Sequence, residues 1–598
     1  MGFFRDFADS FRLEPAPVPI RVLDAPPNVT GGSENGAGAA DLKDTDYEKA
    51  IDPEKGTVGG VVAVNADGSG TRVTSDESGL KRNLTQRHMQ MIAFGGSIGT
   101  GLFVGSGGVY ATGGPGFLLL DYTLIGVMLF CVVMSLGELA TVFPVSGSFA
   151  AYNTRFISSS YGFAMGWNYW MQWFIVLPLE LVAASIVIEY WDPNKNISPG
   201  VWLIIFLIAI TIINLFGVRG YGEFEFGSSM IKIIAVIGFI IAGIVITAGG
   251  APNGVATGDS FWHTPSGAFF NGFQGFCSVF VAAAFAFAGT ELIGLAAAET
   301  GNPRKEVPKA AKQIFMRILL FYVLALLMIT LTVNPTDPRL LGGSSSYDAR
   351  ASPFVIAITN AQITGLPSVF NAVILISVLS VGNSAVYAAS RTLLGLAQAG
   401  QAPRIFTYID RQGRPLPAVA LSMAMGFLSF LVYSTSTTTV FNWLLALSGL
   451  STVFSWGSIC VCHIRFRLAW ARAGHTLEEL PWKSPLGVAG SWYGSIFCLL
   501  VVIFQAIIAA WPIESSNPDE RLSPGDRASN FFQSFLAFPV VCIFWIIGEI
   551  YWKGGLLRID DIDIVTGRRD PVPVEVLRRE REEAKNAPLY KKVWNFFF

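Results

Sequence analysis

The chain of 598 residues is 52% apolar and only 14% charged, against about a quarter charged in soluble domains, which excludes an ordinary soluble enzyme or binding module. Its formal net charge of −2 selects no partner class, and no nucleic acid is expected. The six cysteines all fall inside apolar segments, where they read as small buried hydrophobes and not as disulfides.

In chain order, residues 1–80 mix Gly, Ala, Asp, Ser, Pro and Lys without amphipathic period or signal-peptide core. They read as a disordered cytosolic tail. Twelve apolar runs follow, each about 20 residues long and so able to span a bilayer as a helix. They are spans 1 to 12: 92–112, 117–143, 163–188, 201–218, 228–249, 273–298, 314–334, 367–397, 416–435, 441–464, 487–511 and 533–553. The eighth can be extended back to Pro353, leaving 353–366 as a helical extension or a re-entrant piece. The transporter domain is thus 81–553. The remainder, 554–598, is a polar cytosolic tail whose last residues, Val593 to Phe598, are apolar enough to dock.

Short cytosolic loops should hold the excess of Lys and Arg. Arg155, Arg219, Arg304, Arg317, Arg391, Arg414, Arg465 and Lys483 are among about 15 basic residues on one set of loops, against Lys195, Arg339, Arg350, Arg521 and Arg527 on the other. With an even number of spans, both termini lie in the cytosol. Cys460-Val461-Cys462-His463 lacks the ligand spacing of a closed metal site, so no metal or other cofactor is expected, and the four histidines sit at apparent membrane boundaries.

Two spans carry glycine-broken stretches. Span 1 contains Gly96-Ser97-Ile98-Gly99-Thr100-Gly101, and span 6 contains Phe285-Ala286-Phe287-Ala288-Gly289-Thr290-Glu291. Unpaired backbone at membrane depth costs several kcal/mol, so a break survives only where it is buried or lines a cavity. Paired breaks at matching places in two halves mark the binding site of inverted-repeat transporters, and spans 1–5 and 6–10 are the candidate repeats. Gly99 and Gly101 would let N–H groups turn toward the cavity, where the positive helix end seats a carboxylate. The carbonyls of Phe285 through Gly289 would accept from an ammonium group. Donors facing acceptors across one site match an α-amino acid. The competing reading is that Gly95, Gly96 and Gly99 only pack helices together.

Ionisable groups at membrane depth are functional candidates. Glu138, Glu180, Lys232, Glu291 and Glu299 stand out. Glu291 adjoins the ammonium seat. Lys232 suits a proton carrier or a fixed cation, with a snorkelling lysine as the alternative. Glu138 and Glu180 suit pairing with neighbouring helices, and Glu299 a structural or gating ion pair.

From about Leu80 onward the chain resembles the amino acid permeases of the amino acid–polyamine–organocation superfamily, and most closely their fungal plasma-membrane branch. The resemblance rests on Gly96–Phe103, Ser135-Leu136-Gly137-Glu138, Gly166-Trp167-Asn168-Tyr169-Trp170, Phe287–Gly294, Glu299-Thr300-Gly301-Asn302-Pro303, Leu379–Ser384 and His463–Arg467. Leu177–Ala184 and Asn442–Gly449 are most similar to the general, broad-specificity permeases. The resemblance implies an all-α membrane protein of twelve transmembrane helices. These form a LeuT-type 5+5 inverted repeat with discontinuous helices 1 and 6, plus two extra helices. It also implies plasma-membrane import of L-amino acids coupled to protons. The Ile98–Gly101 amides would bind carboxylate and the Ala286–Gly289 carbonyls the amino group, with Ser97, Phe285 and Thr290 also among the substrate-binding residues. Glu291 and Lys232 would serve coupling and substrate binding, and Gln172 and Ser448 would distinguish substrate side chains. Family tails accept ubiquitin from ligases, for which Lys43, Lys49 and Lys55 are available; several relatives end in Phe-Trp-Cys, where this chain ends Phe-Phe-Phe. An exchanger without proton coupling and a permease-like receptor are the rival readings. An intramembrane enzyme finds no catalytic constellation to support it.

Overall fold

The computed structural model describes residues 84–588 apart from 97, 146, 193, 195, 342–351, 434–436, 514–522, 570 and 571, together with 62–64 and 70–72. The expectations for Ser97, for most of the amino-terminal tail with Lys43, Lys49 and Lys55, and for Val593 to Phe598 lie outside the described residues. Among the described residues, nine helices are long and apolar enough to cross a membrane. A tenth candidate is the pair Pro524–Phe535 and Ala537–Trp552, bent by 57°. The helix Pro199–Leu215, in the place of span 4, is apolar but only 17 residues long.

The longest stretch, Gly101–Val142, has 42 residues and as one helix would run about 63 Å, twice a hydrocarbon core. It does not run straight. Gly114 leaves the helix at φ 75° and ψ 178°, a region open to glycine, and Pro115 starts the next segment. The loop before span 6 clamps this corner: Gly116 N–H donates to the Ala268 carbonyl at 2.7 Å and Phe270 N–H to that of Gly113 at 3.0 Å.

Several helices begin or end beyond the apolar runs. Span 5 is Gly217–Thr247, span 7 starts at Pro303, and span 10 continues to Arg472. Their extra turns are polar, so hydropathy does not register them although the helix continues. Between spans 7 and 8 a separate helix, Pro353–Asn360, precedes Leu366–Gln398, with a turn between them in which Gln362 and Gly365 have positive φ. A short helix, Phe149–Phe156, occupies the matching place between spans 2 and 3.

Burial separates core from periphery. In the most apolar stretch of span 6, 94% is buried, and of span 3, 83%; for spans 5, 9 and 11 the share is 28%. The outer helices present Ile208, Ile212, Ile234, Ile241, Leu499 and Ile550, apolar groups suited to lipid. The described part of the carboxy-terminal tail is docked: Leu557 N–H donates to the Ile157 carbonyl, Arg569 N–H to that of Val142, and Arg578 pairs with Glu478 at 2.7 Å.

Candidate functional site

The two breaks touch. A Cβ placed on Gly101 would lie 2.5 Å from the Ala286 Cα and 2.9 Å from its nitrogen, and one on Gly99 would lie 2.5 Å from Val381 Cγ2 on span 8. Neither Gly99 nor Gly101 has a positive φ. These glycines are therefore present for space, and the expectation that they supply unusual backbone angles is corrected. That role falls to Gly289, at φ 97° in the span 6 break.

Helix Gln86–Gly95 stops at Gly96. The chain resumes with Gly99, whose carbonyl accepts from both Leu102 and Phe103 N–H at 3.2 and 3.1 Å, and passes through a π-turn, Gly101–Gly105. First-turn amides at Thr100 and Gly101 have no earlier carbonyl in their helix. They form the positive end that suits an anion, and Ile98, Thr100 and Gly101 are all buried.

At the second break, helix Gly272–Phe287 ends and Leu292 restarts it. The acceptor set is narrower than the sequence suggests. The Phe285 carbonyl takes Ala288 N–H at 3.1 Å, that of Phe287 takes the Thr290 hydroxyl at 2.7 Å, and that of Gly289 takes Leu292 N–H at 3.2 Å. Tyr322, reaching across from span 7, donates its hydroxyl to the Ala286 carbonyl at 2.6 Å. Ala288 has left the helix at φ −56° and ψ 145°, so its carbonyl stands outside the helical ladder.

Glu291 is fully buried and its carboxylate folds back on the break. It accepts from Gly289 N–H at 3.2 Å, the Tyr169 hydroxyl at 3.3 Å and Trp456 Nε1 at 3.1 Å. A carboxylate offers about four lone-pair sites, and these contacts occupy most of them. The arrangement ties the span 6 break to spans 3 and 10. Beside it, Arg317 donates to the Thr290 hydroxyl. Sequence reasoning counted Arg317 with a loop, whereas it is completely buried at the end of the helix Pro303–Arg317.

Gln172 lies one turn from Tyr169 on span 3, and Ser448 two turns from Trp456 on span 10. Both are buried, yet neither amide atom of Gln172 nor the Ser448 hydroxyl has a partner among the described residues. Buried polar groups are normally satisfied, so such groups flanking the breaks suit contact with a ligand. Ser448 adjoins Gly449, where a Cβ would meet Val281 Cγ1 at 3.0 Å and the Val281 carbonyl at 3.2 Å; span 10 thus lies directly against span 6. A cavity of about 300 Å³ lined by Ser278, Ala282, Leu445, Gln505 and Asn530 lies between spans 6, 10, 11 and 12, and its lining includes no break residue.

Of the other membrane charges, Glu180 accepts from the Thr100 hydroxyl and so connects span 3 to the first break. Lys232 does not snorkel. It is completely buried, donates to the Ser380 hydroxyl at 2.9 Å and lies 3.8 Å from Glu225. Sequence reasoning missed Glu225, because span 5 was drawn from 228; the seven-residue spacing to Lys232, two helical turns on one face, is the signal for it. It also missed Asp121 in span 2, buried with both oxygens lacking a partner among the described residues. Glu138 pairs as expected with neighbouring elements: His463 Nε2 at 3.0 Å, Arg467 Nη2 at 2.8 Å and Ser484 N–H at 2.7 Å. His463 is thus completely buried where span 10 meets the loop that carries Ser484. Glu299 pairs with Arg391 at 2.9 Å.

The fold is that of a multi-pass membrane protein in which two interrupted helices touch. The amino acid permease family model matches residues 88–560, and the chain belongs to that family. It is similar to the general amino-acid permease GAP2 of Candida albicans, 53% identical over 529 residues that make up 88% of each chain. The general amino-acid permease GAP1 of Saccharomyces cerevisiae is 50% identical over 536 residues, 88% of this chain and 87% of that one. The cationic amino acid transporter 1 of Schizosaccharomyces pombe is 48% identical over 532 residues, 87% of each.

Proposed function

We propose that the protein imports L-amino acids of broad specificity across the plasma membrane by proton symport and alternating access. The observation that carries this reading is the contact of the two breaks at Gly101 and Ala286, flanked by the unpartnered Gln172 and Ser448. Amides at Thr100 and Gly101 face the substrate carboxylate, the Ala288 carbonyl faces its ammonium, and Gln172 and Ser448 meet its side chain. Glu291 reports the state of the span 6 break to spans 3 and 10, and Lys232 carries the proton. The general amino-acid permeases among the relatives support the breadth of substrate.

In this reading residues 81–553 form twelve spans in a LeuT-type arrangement with both termini cytosolic. Supports for it are the turn at Gly114, the bent pair near 536, and the helices Phe149–Phe156 and Pro353–Asn360 at matching places in the two halves. Membrane lipid covers the outer helices, and ubiquitin ligases act on the tails.

One charge crossing 100 mV is worth about 2.3 kcal/mol, enough for roughly fifty-fold accumulation of a neutral amino acid at one proton each. The test is labelled uptake into substrate-free proteoliposomes under an imposed inward proton gradient, with all twenty amino acids as competitors. Gradient-driven accumulation supports symport; uptake only when the vesicles are preloaded with amino acid identifies an exchanger and refutes the proton reading.

A further inference from the structure

Span 5 and span 8 enclose a polar chain that substrate binding does not use. Lys232 Nζ donates to Ser380 Oγ at 2.9 Å, and Ser380 in turn donates to Glu225 Oε2 at 2.6 Å. Ser384 donates to the same oxygen at 3.4 Å, and Tyr221 OH lies 3.2 Å from Ser384 Oγ. Lys232, Glu225, Ser380 and Ser384 are all completely buried and Tyr221 nearly so. From Lys232 to Tyr221 the chain covers eleven residues of one helix, about 16 Å along its axis, half of a hydrocarbon core. Its upper end is beside the first break, since Glu180, which holds Thr100, is within electrostatic reach of Lys232. Its lower end is one turn inside the amino terminus of the helix Gly217–Thr247, where the Tyr221 ring stacks on Tyr387 at 4.3 Å.

We propose that Glu225 is the proton-exit residue, taking the coupled proton from Lys232 and passing it through Ser384 and Tyr221 toward the cytosol. This rests on the proton-symport reading above. The step balances. The Lys232 ammonium gives one proton to Ser380 Oγ while the Ser380 hydroxyl gives its own to Glu225, leaving a neutral amine and a neutral carboxylic acid. Glu225 then donates to Ser384, whose proton goes on to Tyr221 and out, and the carboxylate is restored. The hydrogen bonds already point the way the first transfer requires, from Lys232 through Ser380 to Glu225. Direct transfer between Lys232 and Glu225 is less well placed at 3.8 Å.

The charged and titratable groups around this chain are few and placed at its ends. Glu180 from span 3 and Arg317 from span 7 act on Lys232. Ser229 on span 5 itself donates to Glu225 Oε1 at 3.4 Å. At the lower end stand His88 from span 1, against Gly222 and paired with Glu223 at 3.2 Å, and the Arg391 to Glu299 pair beside Tyr387.

The experiment compares wild type, Glu225→Gln, Glu225→Asp and Tyr221→Phe in proteoliposomes, by two assays. One is exchange of internal labelled for external unlabelled amino acid, which needs no net proton movement. The other is accumulation driven by a proton gradient at several internal pH values. Glu225→Gln and Tyr221→Phe are expected to exchange within several-fold of wild type while losing at least tenfold in driven accumulation. Glu225→Asp should regain part of the accumulation with a shifted internal-pH profile. Driven accumulation by Glu225→Gln equal to wild type overturns the proposal. So does equal loss of both activities in Glu225→Gln and Tyr221→Phe, which makes these residues structural. If wild type itself accumulates nothing under the gradient, the symport reading fails first and takes this one with it.

Discussion

Replacing Gly101 by Ala tests whether the two breaks must touch. The added Cβ would sit 2.5 Å from the Ala286 Cα, 2.9 Å from its nitrogen and 3.0 Å from its Cβ, against the 3.5–4.0 Å of a relaxed carbon pair, roughly. The obstacle is backbone and cannot swing aside, so the span 6 break must retreat by about 1 Å. Overpacking of this kind costs about 1–3 kcal/mol. If that strain falls on the substrate-holding state, affinity weakens about 5- to 150-fold, at 1.36 kcal/mol per tenfold. The assay is KM for labelled uptake beside equilibrium binding to purified protein. Gly238→Ala is the control, because a Cβ there meets nothing within 4 Å and alanine favours a helix interior by about 0.5–1 kcal/mol. Affinity of Gly101→Ala within twofold of wild type would refute the claim that this contact shapes the seat.

Glu291→Gln keeps the size of the side chain but turns an amide NH₂ toward Gly289 N–H, Tyr169 and Trp456, all donors. We expect a loss of about 1–3 kcal/mol, read as a lower thermal midpoint in detergent together with lost uptake; wild-type values for both would contradict a tie through Glu291 between the span 6 break and spans 3 and 10. Gln172→Ala and Ser448→Ala should reorder the competition profile among amino acids without the loss of thermal stability that removing a partnered group brings, because neither group holds a partner among the described residues; a uniform loss for every substrate would argue against selectivity. Outside the spans, hydrogen bonds from Arg339 hold the Asp337 carboxyl below its usual range. Its contribution is present above the ordinary Asp pKa of about 3.9 and is lost as pH falls through the lower folded value. The effect should be modest because Arg339 is 41% exposed. Hydrogen exchange of residues 334–341 and of Asn360, which Arg339 also contacts, should rise in acid, and Asp337→Asn should remove that dependence.

The nine or ten apolar helices among the described residues, the two breaks and the presence of a charge at Lys232 were legible because each leaves a one-dimensional mark: apolar length, glycine inside it, and a charge inside it. What escaped depends on a second chain segment. Gly101 reads from sequence as a source of backbone freedom, and only the position of Ala286 reveals that it is needed for clearance. The carbonyls after Phe285 read as open, and only Tyr322, 36 residues away, shows that one is taken. Glu225 was missed and Arg317 misplaced for a different reason. Helices keep their geometry through polar turns, as at Tyr221-Gly222-Glu223 and Pro303–Lys312, while hydropathy stops where the apolar run stops.

Depth alone gives every membrane charge the same standing as a functional candidate; satisfaction separates them. Glu138 and Glu299 each meet a cation and are therefore explained by the packing they hold together. Removing one partner from such a buried pair costs about 3–5 kcal/mol, so these residues report on folding before transport. Gln172, Ser448 and one oxygen of Glu180 are equally buried, lack partners among the described residues and belong to spans 3 and 10 that meet the breaks. A fold bears the desolvation cost of such groups, about 1–3 kcal/mol each, where a bound molecule returns it. On that argument the proposed seat is marked less by the charges that spans 1 to 10 carry than by the polar atoms of Gln172, Ser448 and Glu180 that have no partner among the described residues.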